Sequence, residues 1–217
     1  MRGGAATAGE LAREAGVAPS TASEHLAALA KGGLVRSTSI GRHRYYALAE
    51  PSVAEALESL ASLCPPVPVN SLRRSIVAEE LRFARTCYDH LAGVIGVALL
   101  DALLERGWLS AEAGLMLTPR GKAGLERLGI DLLPVQRSRR RFAHACLDWT
   151  EKRFHLAGAL GAAITDSMLR QSWFIRRGNG RGLEVTDRGE AGLRDLGIAT
   201  SILESAQPGR QQSTWQQ

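Results

Sequence analysis

The segment from Thr7 to Leu48 constrains this chain most, because it reads in order as a short helix, a tight turn, a second helix and a basic β-ribbon. Thr7 can cap a helix whose apolar positions Leu11, Ala12 and Ala15 share one face, and Gly16 supplies the left-handed residue that ends it. Pro19 suits the first turn of the next helix, where its missing N–H costs nothing. Ala22, Leu26 and Leu29 recur there at helical spacing and are expected to pack inward. The opposite face carries Ser20, Thr21, Ser23, Glu24 and His25, hydroxyls suited to phosphates and longer groups able to reach base edges. Gly32-Gly33 stops the helix, and Arg36 to Tyr46 reads as two strands around a turn that gathers Arg42, His43 and Arg44. Such a helical pair with a hairpin could be mere packing, but a packing turn has no use for three clustered basic side chains. The expectation is a winged helix-turn-helix that enters a groove of double-stranded DNA. Its contact residues would be Pro19, Ser20, Thr21, Ser23, Glu24, His25, Arg36, Arg42, His43, Arg44 and Tyr45.

The stretch Ala18-Pro19-Ser20-Thr21-Ala22-Ser23-Glu24-His25-Leu26, with Leu29, Gly33-Leu34-Val35 and the wing Gly41-Arg-His-Arg-Tyr-Tyr46, resembles the ArsR family of bacterial winged-helix repressors. The resemblance covers roughly the first quarter of the chain. It implies repression of a nearby promoter, relieved when an inducer, often a metal ion, binds. Members of that family carry about two helices ahead of this point that form much of the dimer interface. Only Met1 to Ala6 precede Thr7 here, so either the chain begins late or its dimer is built elsewhere.

At 217 residues and 45% hydrophobic content the chain can hold two modest domains with a real core. A formal charge of +5 is compatible with a polyanionic partner. No apolar run approaches a membrane span and no signal-peptide core opens the sequence, so a cytoplasmic protein with no membrane partner is expected. Three cysteines fit a reducing compartment and argue against a disulfide scaffold.

Beyond residue 71 the sequence resembles itself. Cys87-Tyr-Asp89-His90-Leu91-Ala92-Gly93, Gly107-Trp108-Leu109 and Leu117-Thr118 through Leu128-Gly129-Ile130 have counterparts later in the chain. These are Cys146-Leu-Asp148, His155-Leu156-Ala157-Gly158, Ser172-Trp173-Phe174 and Val185-Thr186 through Leu196-Gly197-Ile198. Each copy is expected to run as an apolar helix, a Trp-containing strand, a turn, a second strand ending in Thr, and a closing helix, a degenerate winged-helix-like or helix-hairpin-helix unit. The fold class is therefore mainly α with short β-hairpins (α+β): an N-terminal winged helix-turn-helix followed by two repeated helix-hairpin-helix units. The expected divisions are a DNA-binding domain over 1–63, a Pro-rich linker over 64–71, repeats over 72–133 and 134–198, and a mobile tail over 199–217. Residues 72 to about 104 are expected to be mostly helical, and Pro51 to Leu63 to form a helix closing the first domain. Ala92, Gly93 and Gly96, like Ala157, Gly158 and Gly161, should let neighbouring elements approach closely, so that the copies pack on each other or on a symmetry partner.

Both copies begin Cys-x-Asp and then place a His before Leu-Ala-Gly. On a helix, Cys87 and His90 would sit three apart on one face, as two ligands of one ion must. Cys146 and His155 could share a helical face only if the helix broke between them. Cys87, Asp89, His90, Cys146, Asp148 and His155 together would suit a soft or borderline divalent ion such as zinc, cadmium, lead or mercury. The alternatives are structural use of the same residues in a duplicated core, a thiol-based or organic effector, or an architectural DNA-binding protein without an inducer, the leading expectation being a homodimeric repressor. An enzyme is disfavoured: there is no phosphate-cradling glycine loop, nucleophile elbow or His-Glu-x-x-His pair.

Overall fold

A computed structural model describes residues 5–64, 72–177 and 180–204. The expected linker after Cys64 and the tail after Glu204 lie outside the described residues. The chain divides into two compact units, Met1–Leu57 and Glu58–Gln217.

In the first unit β1 (Ala6–Thr7) leads into α1 (Ala8–Ala15), then α2 (Pro19–Lys31), β2 (Val35–Ile40), β3 (His43–Leu48) and α3 (Pro51–Leu63), whose last turns belong to the second unit. Local chemistry sets these boundaries. The Thr7 hydroxyl accepts from the Glu10 amide while the Glu10 carboxylate accepts from the Thr7 amide at 2.8 Å, a reciprocal cap on α1. Gly16 at φ 66° ends that helix, Pro19 opens α2, and Gly33 at φ 71° turns the chain into the ribbon. The sheet order is β1-β3-β2, and the β2–β3 register from Val35↔Leu48 to Ile40↔His43 leaves Gly41-Arg42 at the tip. The core of this unit is small: Ala12, Ala22, Leu26 and Ala54 are its buried apolar side chains. Leu29 departs from expectation, being 38% exposed beside an equally uncovered Leu34. No packing layer covers that end of α2 among the described residues, so helical spacing alone misplaced it.

The second unit runs α4 (Leu72–Phe83), β4 (Arg85–Cys87), β5 (His90–Ala92), α5 (Gly93–Glu105), β6 (Leu109–Ser110), β7 (Met116–Leu117), α6 (Pro119–Arg127) and α7 (Leu132–Gln136). It continues through β8 (His144–Leu147), β9 (Phe154–Ala157), α8 (Gly158–Arg170), β10 (Phe174–Arg176), β11 (Leu183–Val185), α9 (Asp187–Asp195) and α10 (Thr200–Glu204). Helices and small two-stranded sheets are mixed, an α+β arrangement. The order hairpin, helix, hairpin, helix occupies Arg85 to Arg127 and again His144 to Asp195. Each stretch thus opens on a hairpin, where a helix was expected over 85–92. The reason is burial: β4 and β5 are covered along their whole length, so they show no alternation, and their apolar residues merge with those of α5. A second correction concerns the tail, which was expected to begin at Ala199: Thr200–Glu204 is helical and its Leu203 is buried.

One core cluster takes in Ile95, Leu99 and Leu103 of α5, Leu160, Ile164 and Met168 of α8, and Trp108 and Trp173. The packing is reciprocal: β9 lies against α5 and β5 against α8. Gly96 and Gly161 make this possible. A Cβ on Gly96 would lie 2.6 Å from the Leu91 carbonyl oxygen and 3.5 Å from the Cβ of His155. One on Gly161 would lie 2.5 Å from the Leu156 oxygen and 3.3 Å from the Cβ of His90. Each histidine thus rests on a glycine of the opposite helix. Gly96→Ala and Gly161→Ala are expected to lower stability by about 1–3 kcal/mol each in urea unfolding of the full chain, because the obstructing atoms are backbone.

Candidate nucleic-acid interface and candidate metal centre

Pro19, Ser20, Ser23, Glu24 and His25 are exposed along α2, with Thr21 half-buried at its base. Arg42, His43 and Arg44 are exposed at the ribbon tip, and Tyr45 is half-buried behind them. Two members of the expected contact set have local duties. The Ser23 hydroxyl donates to the Pro19 carbonyl at 2.8 Å, and Arg36, paired with Ala47 near the base of the ribbon, donates to the Ala49 carbonyl at 3.0 Å. What remains is a row of short polar groups on a helix next to a cationic hairpin tip, a surface shaped and charged for duplex DNA.

In the second unit the two hairpins bring four side chains together. Cys87 faces His90 across the β4–β5 hairpin, and Cys146 faces His155 across β8–β9. The shared helical face expected for Cys87 and His90 is therefore a cross-strand pair, and the β8–β9 hairpin supplies the break that Cys146 and His155 needed. One ligand-type atom from each of the four lies within 4.8 Å of the others, in the interior. The Nε2 atoms of His90 and His155 approach to 3.2 Å.

Asp89 and Asp148 do not join these four atoms; both lie behind the imidazoles. Asp89 sits 3.4 Å from His90 Nδ1 and is gripped by the two terminal nitrogens of Arg140. Asp148 Oδ2 lies 3.1 Å from His155 Nδ1, close but not aligned for a hydrogen bond. The same oxygen accepts from the Gly93 amide at 2.7 Å, and Oδ1 accepts from Arg85 at 2.8 Å and from the Thr150 hydroxyl at 2.7 Å. With its lone pairs so occupied, Asp148 acts on the ring and not on the cluster's centre. Burial would raise its carboxyl pKa, but His155, Arg85 and Thr150 outweigh burial and hold it well below the usual range. Asp89 is likewise held down, burial being outweighed by His90 and Arg140.

With a proton on each Nδ1, beside its carboxylate, the two Nε2 lone pairs would face each other. Two such lone pairs at 3.2 Å repel unless a positive charge, a shared proton or a metal ion, lies between them. Burial pushes His90 toward neutrality, yet Asp89 and Cys146 reverse this and raise its pKa. The thiols polarise in opposite senses. Its contact with Cys146, then burial, pushes Cys87 up, while the Cys87 thiol and both imidazoles pull Cys146 down toward a thiolate, against burial. Two cysteine sulfurs and two inward-facing imidazole nitrogens form a donor set that fits a tetrahedral soft or borderline cation.

Sequence reasoning missed Arg85 and Arg140, which hold the two aspartates. The self-similarity does extend upstream of each cysteine, Arg82-Phe83-Ala84-x-x-Cys87 matching Arg141-Phe142-Ala143-x-x-Cys146, but Arg85 falls on an unmatched position and Arg140 ahead of the match, so the repeat did not mark them.

Among the described residues no helix is long and apolar enough to cross a membrane. Residues 1–38 match a family described as a helix-turn-helix domain. The chain is 41% identical over 184 residues to YdfF of Bacillus subtilis (strain 168), named as an uncharacterized HTH-type transcriptional regulator, across 84% of this chain and 81% of that protein. No solved structure matches. The identity runs well past the reading head into the second unit, and with the exposed polar helix and basic ribbon it places this chain among the HTH-type transcriptional regulators, DNA-binding proteins and not enzymes.

Proposed function

We propose that the protein is a homodimeric, metal-responsive repressor of the ArsR type, released from its operator when zinc, cadmium, lead or mercury binds in the second unit. The observation that carries this reading is the convergence of Cys87, His90, Cys146 and His155 within 4.8 Å, with two imidazole nitrogens face to face. On this reading the two halves of the second unit are a duplicated module. One half supplies Cys87 and His90, the other Cys146 and His155, so occupancy draws the hairpins together. Asp89 and Asp148 would orient the rings from behind. Dimerisation is supported by Leu57, Leu60 and Leu63, which recur at three-residue intervals on α3 and are 50%, 60% and 81% exposed. In the DNA-bound dimer α2 would lie in the major groove and Arg42 and Arg44 would hold phosphates.

The test is a gel-shift titration on the gene's own upstream DNA with each of these four metals and, separately, a thiol oxidant. The wild-type protein is expected to leave the DNA on metal addition, while Cys87→Ser and Cys146→Ser stay bound. Release by oxidant alone would point to a thiol switch, and no release by any addition to an architectural role. In the same assay Arg42→Ala/Arg44→Ala is expected to weaken binding to every sequence and to lower the slope of log K against log salt by about 2. Changes at Thr21 or His25 should instead alter sequence preference.

A further inference from the structure

The two halves of the second unit close differently. In the later half the β10–β11 hairpin is stitched to the strand that leads into Cys87: the Thr86 amide donates to the Arg181 carbonyl and the Leu183 amide to the Ala84 carbonyl, both at 2.9 Å. The earlier half has matching residues at the matching places, Gly114-Leu115 for Gly182-Leu183 and Ala143 for Ala84. The equivalent bonds would join Ala145 to Ala113 and Leu115 to Ala143, and neither forms among the described residues. A cleft of about 650 Å³ stands between these two edges instead.

That volume lies within the range of small-molecule sites, about 300–1,000 Å³. The walls are apolar, with Leu115 and Met116 on one side and Phe142 on the other. The ionisable residues lining the cleft are Lys122 and Arg141, both cationic. Arg141 is exposed and makes no ion pair among the described residues. Among the described residues the ion-pair partner of Lys122 is Glu126 at 4.0 Å, an exposed i,i+4 pair on α6 of the kind that is weak. Apolar walls with two cations and no carboxylate select a ligand that is apolar in body and anionic at one end.

We propose that this cleft binds a small amphipathic organic anion, a flat or chain-like hydrocarbon carrying one carboxylate. The site is separate from the Cys/His cluster and does not rest on the metal reading. Arg140, adjacent to Arg141, grips Asp89 behind His90, so the cleft and the cluster share a segment of chain.

Isothermal titration of the full chain with three probes sharing one ring system tests the proposal: 2-naphthoate, 2-naphthylmethanol and 2-naphthylmethylammonium. Naphthoate is expected to bind one per chain, at least about tenfold more tightly than the alcohol, with the ammonium weaker still. Arg141→Glu should weaken naphthoate by about tenfold or more, and Arg141→Lys should retain affinity within about threefold. Leu115→Trp should block the cleft while leaving the circular dichroism spectrum unchanged. Arg141 is exposed, so its variants keep the fold, which the same spectrum verifies. No saturable naphthoate binding up to about 1 mM, equal binding of the ammonium probe, or undiminished binding by Arg141→Glu would overturn the proposal.

Discussion

Arg85→Leu is expected to cost the second unit about 3–5 kcal/mol, because it strands a carboxylate in the interior. Arg85 and Asp148 are both fully buried, 2.8 Å apart, and join opposite halves of the unit. Arg85 also donates to the Leu81 carbonyl at 3.0 Å and lies over the Trp149 ring at 4.9 Å, so its planar head is used on several sides. Its removal leaves Asp148 with the amides of Gly93, Thr150 and Glu151, the Thr150 hydroxyl and the nearby His155 ring, but without the guanidinium matched to its charge. Urea unfolding of the full chain followed by tryptophan fluorescence measures the loss, since Trp108, Trp149 and Trp173 all belong to this unit. The double variant Arg85→Leu/Asp148→Leu should recover part of it, as a buried pair replaced by apolar groups usually does. A loss below about 1 kcal/mol for the single variant would mean that Asp148 finds another partner or is neutral when folded.

Cys146→Ser is expected to lower zinc affinity by about a hundredfold or more, and Cys87→Ser by a similar factor. Binding at a four-ligand structural zinc site amounts to about 10–16 kcal/mol, so the loss of one thiolate removes a few kcal/mol of it. Competition with a chromophoric chelator gives the affinity, and cobalt(II) absorption reports thiolate coordination directly. Cys64→Ser is the control, because Cys64 is exposed at the end of α3 and outside the cluster. An affinity within about threefold of wild type for both cluster variants would remove the cysteines from the site.

The reading head was legible in the sequence because its signals are local. A Thr/Glu cap, a left-handed Gly16, Pro19 at a helix start and a Gly-Gly stop each act within a few residues, and each stands where the spacing placed it. The ribbon was legible because β2 and β3 are six residues each, β2 largely exposed and β3 half-buried over its last four residues, with a basic tip between them. The second unit was legible only as residue types. Cys87, His90, Cys146 and His155 could be singled out because they recur, but their geometry could not be read. Strands three or four residues long leave too few positions for a period to be detected, and a hairpin brings Cys146 to His155 over a span that helix geometry cannot cross. Asp148 illustrates the same limit. Its type suggested an ion ligand, whereas its place is decided by Arg85, 63 positions away, and by the Gly93 amide.

The central claim is that occupancy of the buried thiol–imidazole cluster and grip on DNA are linked. Linkage is reciprocal, so the most direct measurement is the zinc affinity of the full chain with and without saturating upstream DNA. A coupling of about 1–3 kcal/mol predicts that DNA weakens zinc binding by about 5–150-fold. Zinc bound equally well by free and DNA-bound protein would contradict the claim, even if both ligands bind tightly.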